Sequence, residues 1–398
     1  MRSMTIAALL TLSMSVVTNV QASEIGMGVL MIWPTARSTA LAGAMTGLAD
    51  DADATYFNPA GLAFQTTAKA DINYGNWVPG MYQGMCYASA AGGAPVRLPF
   101  LHGHNAFVAG SVTYMTVGET DIINERGDFL GRVNVWRGSM ALHSGVALSK
   151  NVGLGVTVKL AHSEHTAEDW MWDSYSYESP EVGLELGGTA TAAAFDAGIV
   201  YKPLPPLSVG LSVANVGPDI SYHADGWEGP HDYKAQLPRM ARLGACWTPV
   251  DNRYIRLNVM PELTKVLVGM FSDTTGKSFG RQVREEWRDV WKALGVEATA
   301  FKAVSFRLGY FEDLTNQRGG LVYEKEVWNT EHYGIGDVLA GRHLGKLKSV
   351  GMCWGMGFGT DKLSFDFSND GAIYDFPTSN WKFQLVSNDI GGLFGRRR

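Results

Sequence analysis

Three residue types in this chain could do chemistry on their own: histidine, cysteine and clustered aspartate. His102-Gly103-His104 and the pair His162/His165 bring imidazoles close along the chain, as a metal site would need. Neither group has a Cys, Asp or Glu at a recognised ligand spacing, so they read as loop and rim histidines. No metal or other cofactor is expected. Cys86, Cys246 and Cys353 lie far apart and form no CxxC. Such a sparse, odd set builds no disulfide framework, and each cysteine falls in a strand-like run as a small residue. Neither GxSxG nor HExxH occurs, so hydrolysis has no positive support. Recognition is the chemistry that remains. Trp170, Trp172, Tyr175 and Tyr177 sit among Glu168, Asp169, Asp173, Glu178 and Glu181, a mixture that suits either a partner-binding loop or a solvated loop whose aromatics fold back on the rim.

The elements that must position such residues start with Arg37 to Ala63, RSTALAGAMTGLADDADATYFNPAGLA. Ala, Gly, Ser and Thr bury too little apolar surface to form a core of their own. They do let backbones approach closely, so this segment reads as a plug inside a container, the mouth of a membrane β-barrel. Its Asp50-Asp51 pair is expected to meet inward cations of the wall, such as Arg307, Lys159 or Lys382. Asn58-Pro59-Ala60-Gly61 reads as its anchor. Asn58 can cap a short turn, Pro59 suits the first position, and Gly61 relaxes the exit.

Composition supports the container. The 398 residues include 47 glycines and 11% aromatics, but only 18% charged residues, against roughly 25% in soluble proteins. No stretch after the N-terminus reaches the roughly 20 apolar residues of a membrane helix. A net charge of −6 argues against a nucleic-acid partner. Arg2, the apolar run Ile6 to Val17 and Val20-Gln21-Ala22 form the layout of a secretory signal over residues 1–22. The plug then spans 23–67, the barrel 68–388 and a tail 389–398.

Within 68–388 large apolar residues alternate with small or polar ones. Leu154, Val156, Val158 and Leu160 alternate with Gly153, Gly155, Thr157 and Lys159; Met352, Trp354, Met356 and Phe358 alternate with Gly351, Cys353, Gly355 and Gly357. Period two over such lengths predicts strands with two chemically different faces, the large apolar one outward. About fourteen runs follow: 68–77, 82–91, 105–117, 134–149, 152–164, 189–202, 206–216, 237–248, 253–264, 294–301, 303–311, 346–358, 362–370 and 380–388. After the fourth, short turns alternate with long loops, as in outer-membrane barrels; the connections 78–81 and 92–104 depart from that rule. Gly351, Gly355 and Gly357 would leave a bare inner wall against which the plug could lie. Pro261 falls inside a predicted strand, where a bulge or a break in the wall is expected. Arg281 to Leu294, with Val283, Trp287, Val290, Trp291 and Leu294 at helical spacing, is expected as a loop helix packed on the barrel rim.

The small-residue segment with ADD and NPAG resembles the N-terminal hatch of FadL-type outer-membrane proteins, Asn58, Pro59 and Ala60 matching the anchoring turn. NWVPGM (Asn76 to Met81), SVTYMTVGETDIINERGDFLG (Ser111 to Gly131) and AFDAGIVYKPLPPLSVGLSVANVGPDISY (Ala194 to Tyr222) extend the likeness, as do QLPRMARLGACWTP and FKAVSFRLGYFED. Together they make the chain similar to the PorV/PorQ family of type IX secretion within that superfamily. The resemblance implies an all-β, fourteen-stranded barrel in the cell outer membrane. It implies partners among secreted cargo proteins, the translocon and the attachment machinery, besides outer-membrane lipid. FadL relatives instead imply diffusion of hydrophobic compounds through a hatch or a lateral gap. The terminal aromatic usual in outer-membrane proteins is displaced here by a tail ending Arg396-Arg397-Arg398.

Overall fold

The computed structural model describes residues 26–390 except 78, 80–83, 98–104, 124–128, 167–187, 227–228, 271–277, 327–328, 343–344, 361 and 371–378. In chain order the strands are β1 (Lys69–Asn76), β2 (Cys86–Arg97), β3 (Asn105–Ile123), β4 (Phe129–Ala147), β5 (Val152–Thr166), β6 (Gly188–Leu204) and β7 (Leu207–Val216). A hairpin of β8 (Ile220–Gly226) and β9 (Gly229–Ala235) follows, then β10 (Met240–Asp251), β11 (Ile255–Val266), β12 (Trp291–Ala300) and β13 (Val304–Asp313). Next come β14 (Arg318–Gly319), β15 (Leu321–Glu326), β16 (Asn329–Tyr333) and β17 (Lys346–Val350), and last β18 (Met352–Gly359), β19 (Leu363–Asp370) and β20 (Asn380–Ser387). Leaving out β8, β9 and β14 to β17, every strand pairs antiparallel with its neighbour, and β20 returns to β1 through Ile72↔Leu385. The result is a closed barrel of 14 strands.

All fourteen predicted runs coincide with barrel strands, with one division. The run 346–358 splits at Gly351: 346–350 forms β17, on the edge of a 3-stranded sheet with β15 and β16, and only Met352–Gly359 enters the wall. At Gly351 the chain passes so close to Gly320 N and the Phe311 carbonyl that an added Cβ would lie 2.6 Å from each. That glycine marks a crossover between sheets, not a plug contact.

The two faces follow the sequence pattern. On β5, Val156 is 57% exposed while Thr157 beside it is 1% exposed. Leu142, Leu154, Val158, Leu211, Leu243, Leu308 and Phe383 share the outward face. An apolar belt of this extent far exceeds the patches a soluble monomer shows and has the form of a wall facing lipid. Aromatic rings flank it at both edges. Tyr114 stacks on Trp136 and Trp354 meets Trp381 edge-on at the loop end, while Tyr254 meets Phe301 edge-on at the turn end. Such girdles sit at membrane interfaces because the rings are apolar with a polar edge.

Strand ends also explain the two connections that departed from the length rule. Because β2 runs on to Arg97, residues 77–85 join β1 to β2 at the loop end and 98–104 join β2 to β3 at the turn end. Short turns such as 148–151, 205–206 and 301–303 share that turn end with the start of β1 and the finish of β20. The hairpin β8–β9, the small sheet and the helix Phe279–Arg288 all belong to the opposite end.

Pro261 faces outward within β11. The ladder to β12 continues through Pro261↔Leu294 without a shift. Towards β10, the pairing skips Ala245 and Cys246 between Gly244↔Glu262 and Trp247↔Val259, and a bulge follows between Trp247 and Val250. The missing N–H therefore interrupts one ladder locally while its other neighbour stays in register.

Candidate functional site

Residues 26–68 thread the lumen from the loop end to the turn end. At the loop end, Gly26 N donates to the Gln236 carbonyl at 3.0 Å. Short helices over Ala36–Ala40 and Ala54–Phe57 follow, and the turn Pro59–Phe64 leads down to β1.

Inward glycines make the seat. An added Cβ would lie 2.6 Å from Ala63 N at Gly145, 2.5 Å from Ala42 N at Gly309 and 2.6 Å from Ala40 Cβ at Gly355. Gly155 presses on Pro59 and Ala60, Gly198 on Asn58, and Gly210 on the Thr46 carbonyl. Small residues on the plug thus meet bare backbone on the wall, which explains the composition of both. Of the three glycines expected to do this on β18 and its approach, Gly355 does. Gly357 lies against Arg307 and Asp366 instead, and Gly351 at the sheet crossover.

Asn58 caps the turn that follows it: its Oδ1 accepts from Ala60 N at 3.1 Å, with Pro59 in the first position. Its Nδ2 donates to the Thr46 carbonyl at 3.2 Å and to the Ile199 carbonyl of β6 at 3.1 Å. Ala60 is fully buried against β5. Gly61 has no left-handed backbone to relax; it is bare because an added Cβ would meet Ala49 Cβ at 2.5 Å, plug against plug. Wall side chains hold the plug backbone elsewhere. Ser212 Oγ donates to the Phe57 carbonyl at 2.7 Å, Ser89 Oγ to Pro34 at 3.0 Å, and Lys382 to Trp33.

Charge fixes the centre. Arg37 donates from Nε and Nη2 to Glu297 on β12 at 2.9 and 2.8 Å, and from Nη1 to Asp50 at 2.7 Å and to Asp51. Glu297 also accepts from Arg307 Nε at 2.7 Å and Asn258 Nδ2 at 3.1 Å, and Arg307 pairs with Asp366. The aspartates therefore find their cation within the plug and not on Arg307, Lys159 or Lys382. Arg307 is taken by Glu297 and Asp366, and Lys159 by Asp196 at 3.0 Å. Burial would lower the Arg37 guanidinium, but Asp50, Glu297 and Asp51 outweigh it and hold it above its ordinary value. Burial, and then the charge of Asp51, pushes the Asp53 carboxyl well above the usual carboxylate range. Thr35 donates to both Asp53 oxygens, at 2.7 and 2.9 Å. On β11, Glu262 accepts from Thr46 N and Oγ1, both at 2.8 Å.

Two cavities flank the plug. Towards β1–β5 the lining is polar, with Ser111, Thr113, Ser139, His143 and Lys159 opposite Thr35 and Tyr56. His143 bridges Ser111 and Thr157 at 2.8 Å each, and the Tyr87 hydroxyl, on a residue 1% exposed, has no hydrogen-bond partner among the described residues. Towards β10–β13 the lining is aromatic and Met-rich: Met31, Trp33, Phe57, Met240, Trp291 and Phe311, with Glu262 and Arg242. Trp33 and Trp291 each meet Phe311 edge-on, at 5.2 and 5.8 Å. Arg242 is 3% exposed and lies within electrostatic reach of Glu262 in the same lining. It donates to the Tyr56 carbonyl at 3.2 Å and lies over the Tyr56 and Phe57 rings at 4.8 and 5.5 Å. The free space is ≈ 30 Å³ on the polar side and ≈ 10 Å³ on the aromatic side. One water needs about 10–15 Å³, so with the plug seated each cavity has room for a water or two and not for a larger solute.

The sequence singled out neither Arg242 nor the aromatic chamber, whose members come from strands far apart in the chain. Trp170, Trp172, Tyr175 and Tyr177 lie outside the described residues, as do His102, His104, the signal segment and the end of the tail. His162 packs its ring 5.0 Å from Trp136 and bonds Thr191. Among the described residues no group of three or more His, Cys, Asp or Glu could hold a metal ion.

No family model matches the chain, and no curated protein does. Solved structures do align. The Ralstonia pickettii toluene transporter TbuX has a TM-score of 0.48 at 10% identity, covering 88% of this chain and 96% of its own. The CymD monoaromatic hydrocarbon channel has a TM-score of 0.49 at 9% identity, covering 91% and 97%. A Pseudomonas aeruginosa FadL homologue has a TM-score of 0.46 at 11% identity, covering 89% and 97%. At these scores the likeness carries no functional argument, and the barrel rests on its own closed ladder.

Proposed function

We propose that this chain is a plugged outer-membrane barrel that admits small apolar or amphipathic molecules, without catalysis. The observation that carries this reading is the chamber between plug and wall, lined by Met31, Trp33, Trp291 and Phe311 together with the buried Arg242, whose guanidinium lies over the Tyr56 and Phe57 rings. Aromatic and thioether side chains offer apolar, polarisable surface, and an Arg over rings adds a cation–π or headgroup contact. The plug is held by hydrogen bonds and ion pairs on small residues, bonds that water can replace when it moves. Displacement of residues 36–49 would enlarge the chamber and join it to the loop end.

The cargo-handling role implied by the likeness to PorV/PorQ remains a second reading. Its support is that sequence resemblance, and the aromatic loop 165–188 that would bind cargo or translocon lies largely outside the described residues. Native mass spectrometry of the barrel, extracted from its own membrane in mild detergent, separates the two. A bound small molecule lost on Phe311→Ala supports the chamber. A stoichiometric protein partner with no small molecule overturns it.

A further inference from the structure

A loop helix was expected over Arg281 to Leu294 with its apolar stripe packed on the barrel rim; the helix runs from Phe279 to Arg288 and leaves that stripe largely exposed. None of its residues is buried; Phe279 is 75% exposed and Trp287 55%, with Val283 exposed between them on the same stripe. Its contacts with the wall run through two lysines, and Lys292 of β12 lies 5.7 Å from the Trp287 ring. Lys265, near the end of β11, pairs with Glu286 at 2.6 Å and with Asp289, just past the helix, at 3.3 Å. Arg281, Arg284 and Arg288 are all exposed. At about 100° per residue they fall on the side opposite Glu286. The helix is thus tethered by its acids, with an apolar stripe and three guanidiniums presented outward.

Its position says what covers that face. Helix and wall are joined directly at the loop end: β12 begins at Trp291, and Leu294, 43% exposed, already belongs to the outward apolar belt. Three residues of strand span about 10 Å, so the stripe continues the lipid-facing surface at the edge of the bilayer. An apolar stripe bordered by arginines is the composition of a helix lying in a membrane interface, with guanidiniums at the phosphates. We propose that Phe279–Arg288 is an interfacial anchor, seated on an anionic membrane surface at the loop end of the barrel. Phe279, Val283 and Trp287 enter the acyl region, while Arg281, Arg284 and Arg288 bind lipid phosphate. Lys265 fixes the helix against the wall, which sets the depth at which the barrel rides. This inference rests on the membrane-spanning reading but not on the nature of any solute passing through the lumen.

The test uses the full barrel in nanodiscs that contain no other protein. Acyl-chain-brominated phosphatidylglycerol should quench the fluorescence of the intact protein more than that of Trp287→Tyr, the difference reporting Trp287 in contact with tails. A second probe, NBD attached at Val283→Cys in a Cys86→Ser, Cys246→Ser, Cys353→Ser background, should be shielded from iodide. Replacing phosphatidylglycerol with phosphatidylcholine should raise iodide access several-fold, and Arg281→Gln/Arg284→Gln/Arg288→Gln should remove that lipid dependence. Equal bromine quenching with and without Trp287, or free iodide access in anionic discs, would overturn the anchor and leave the face to a protein partner. Barrel insertion is scored separately by heat-modifiable gel mobility, so loss of the fold cannot be mistaken for loss of the anchor.

Discussion

Arg37 ties the plug to the wall through Glu297 and braces the plug itself through Asp50 and Asp51, all in one cluster. Removing one member of a buried charged cluster leaves the others unpaired, at a cost of about 3–5 kcal/mol. Arg37→Gln is therefore expected to raise solute conductance in planar bilayers with the barrel still folded; conductance at the wild-type level would show that the plug is held elsewhere. Asn58→Ala is expected to cost less. The cap is worth about 1 kcal/mol, and the bonds to Thr46 and Ile199 add to it. Hydrogen exchange over residues 46–63 should quicken, while exchange in β5 and β6 holds. The cluster could not be read from the sequence. Arg37 and Glu297 are separated by 260 positions, and only barrel closure brings them together. Asp50-Asp51 stood out as a charge pair, but nothing local showed that their cation lay thirteen residues before Asp50.

Strands were legible because a lipid-facing wall with a polar lumen writes period two into every run. The plug was legible for the opposite reason, since side chains too small to build a core need a container. Where local pattern failed, another sheet or another surface competed. Residues 346–350 alternate like a wall strand but pair with β15, and Trp291 and Leu294 extend a helical stripe but belong to β12. Inward glycines give the element-scale prediction. Gly155→Leu would force a side chain into Pro59 and Ala60 and should unseat the plug, raising leakage. Val156→Leu, one position along and facing outward, should leave leakage unchanged. Pro261→Ala returns a donor to the interrupted ladder, so the amide gained at position 261 should be protected from exchange by β10.

At the scale of the whole molecule the barrel is a container divided by its plug, polar on the β1–β5 side and aromatic on the β10–β13 side. The central claim is that the aromatic side is the route for apolar molecules. The most direct measurement is the initial rate at which the fluorescent apolar probe N-phenylnaphthylamine enters cells whose outer leaflet is lipopolysaccharide. Cells making the wild-type barrel should take it up several-fold faster than cells without it. Phe311→Asn, which replaces the ring that Trp33 and Trp291 meet with a smaller polar side chain, should return uptake to the background rate with the barrel still inserted. Uptake equal in all three, or unaffected by Phe311→Asn, would contradict the account.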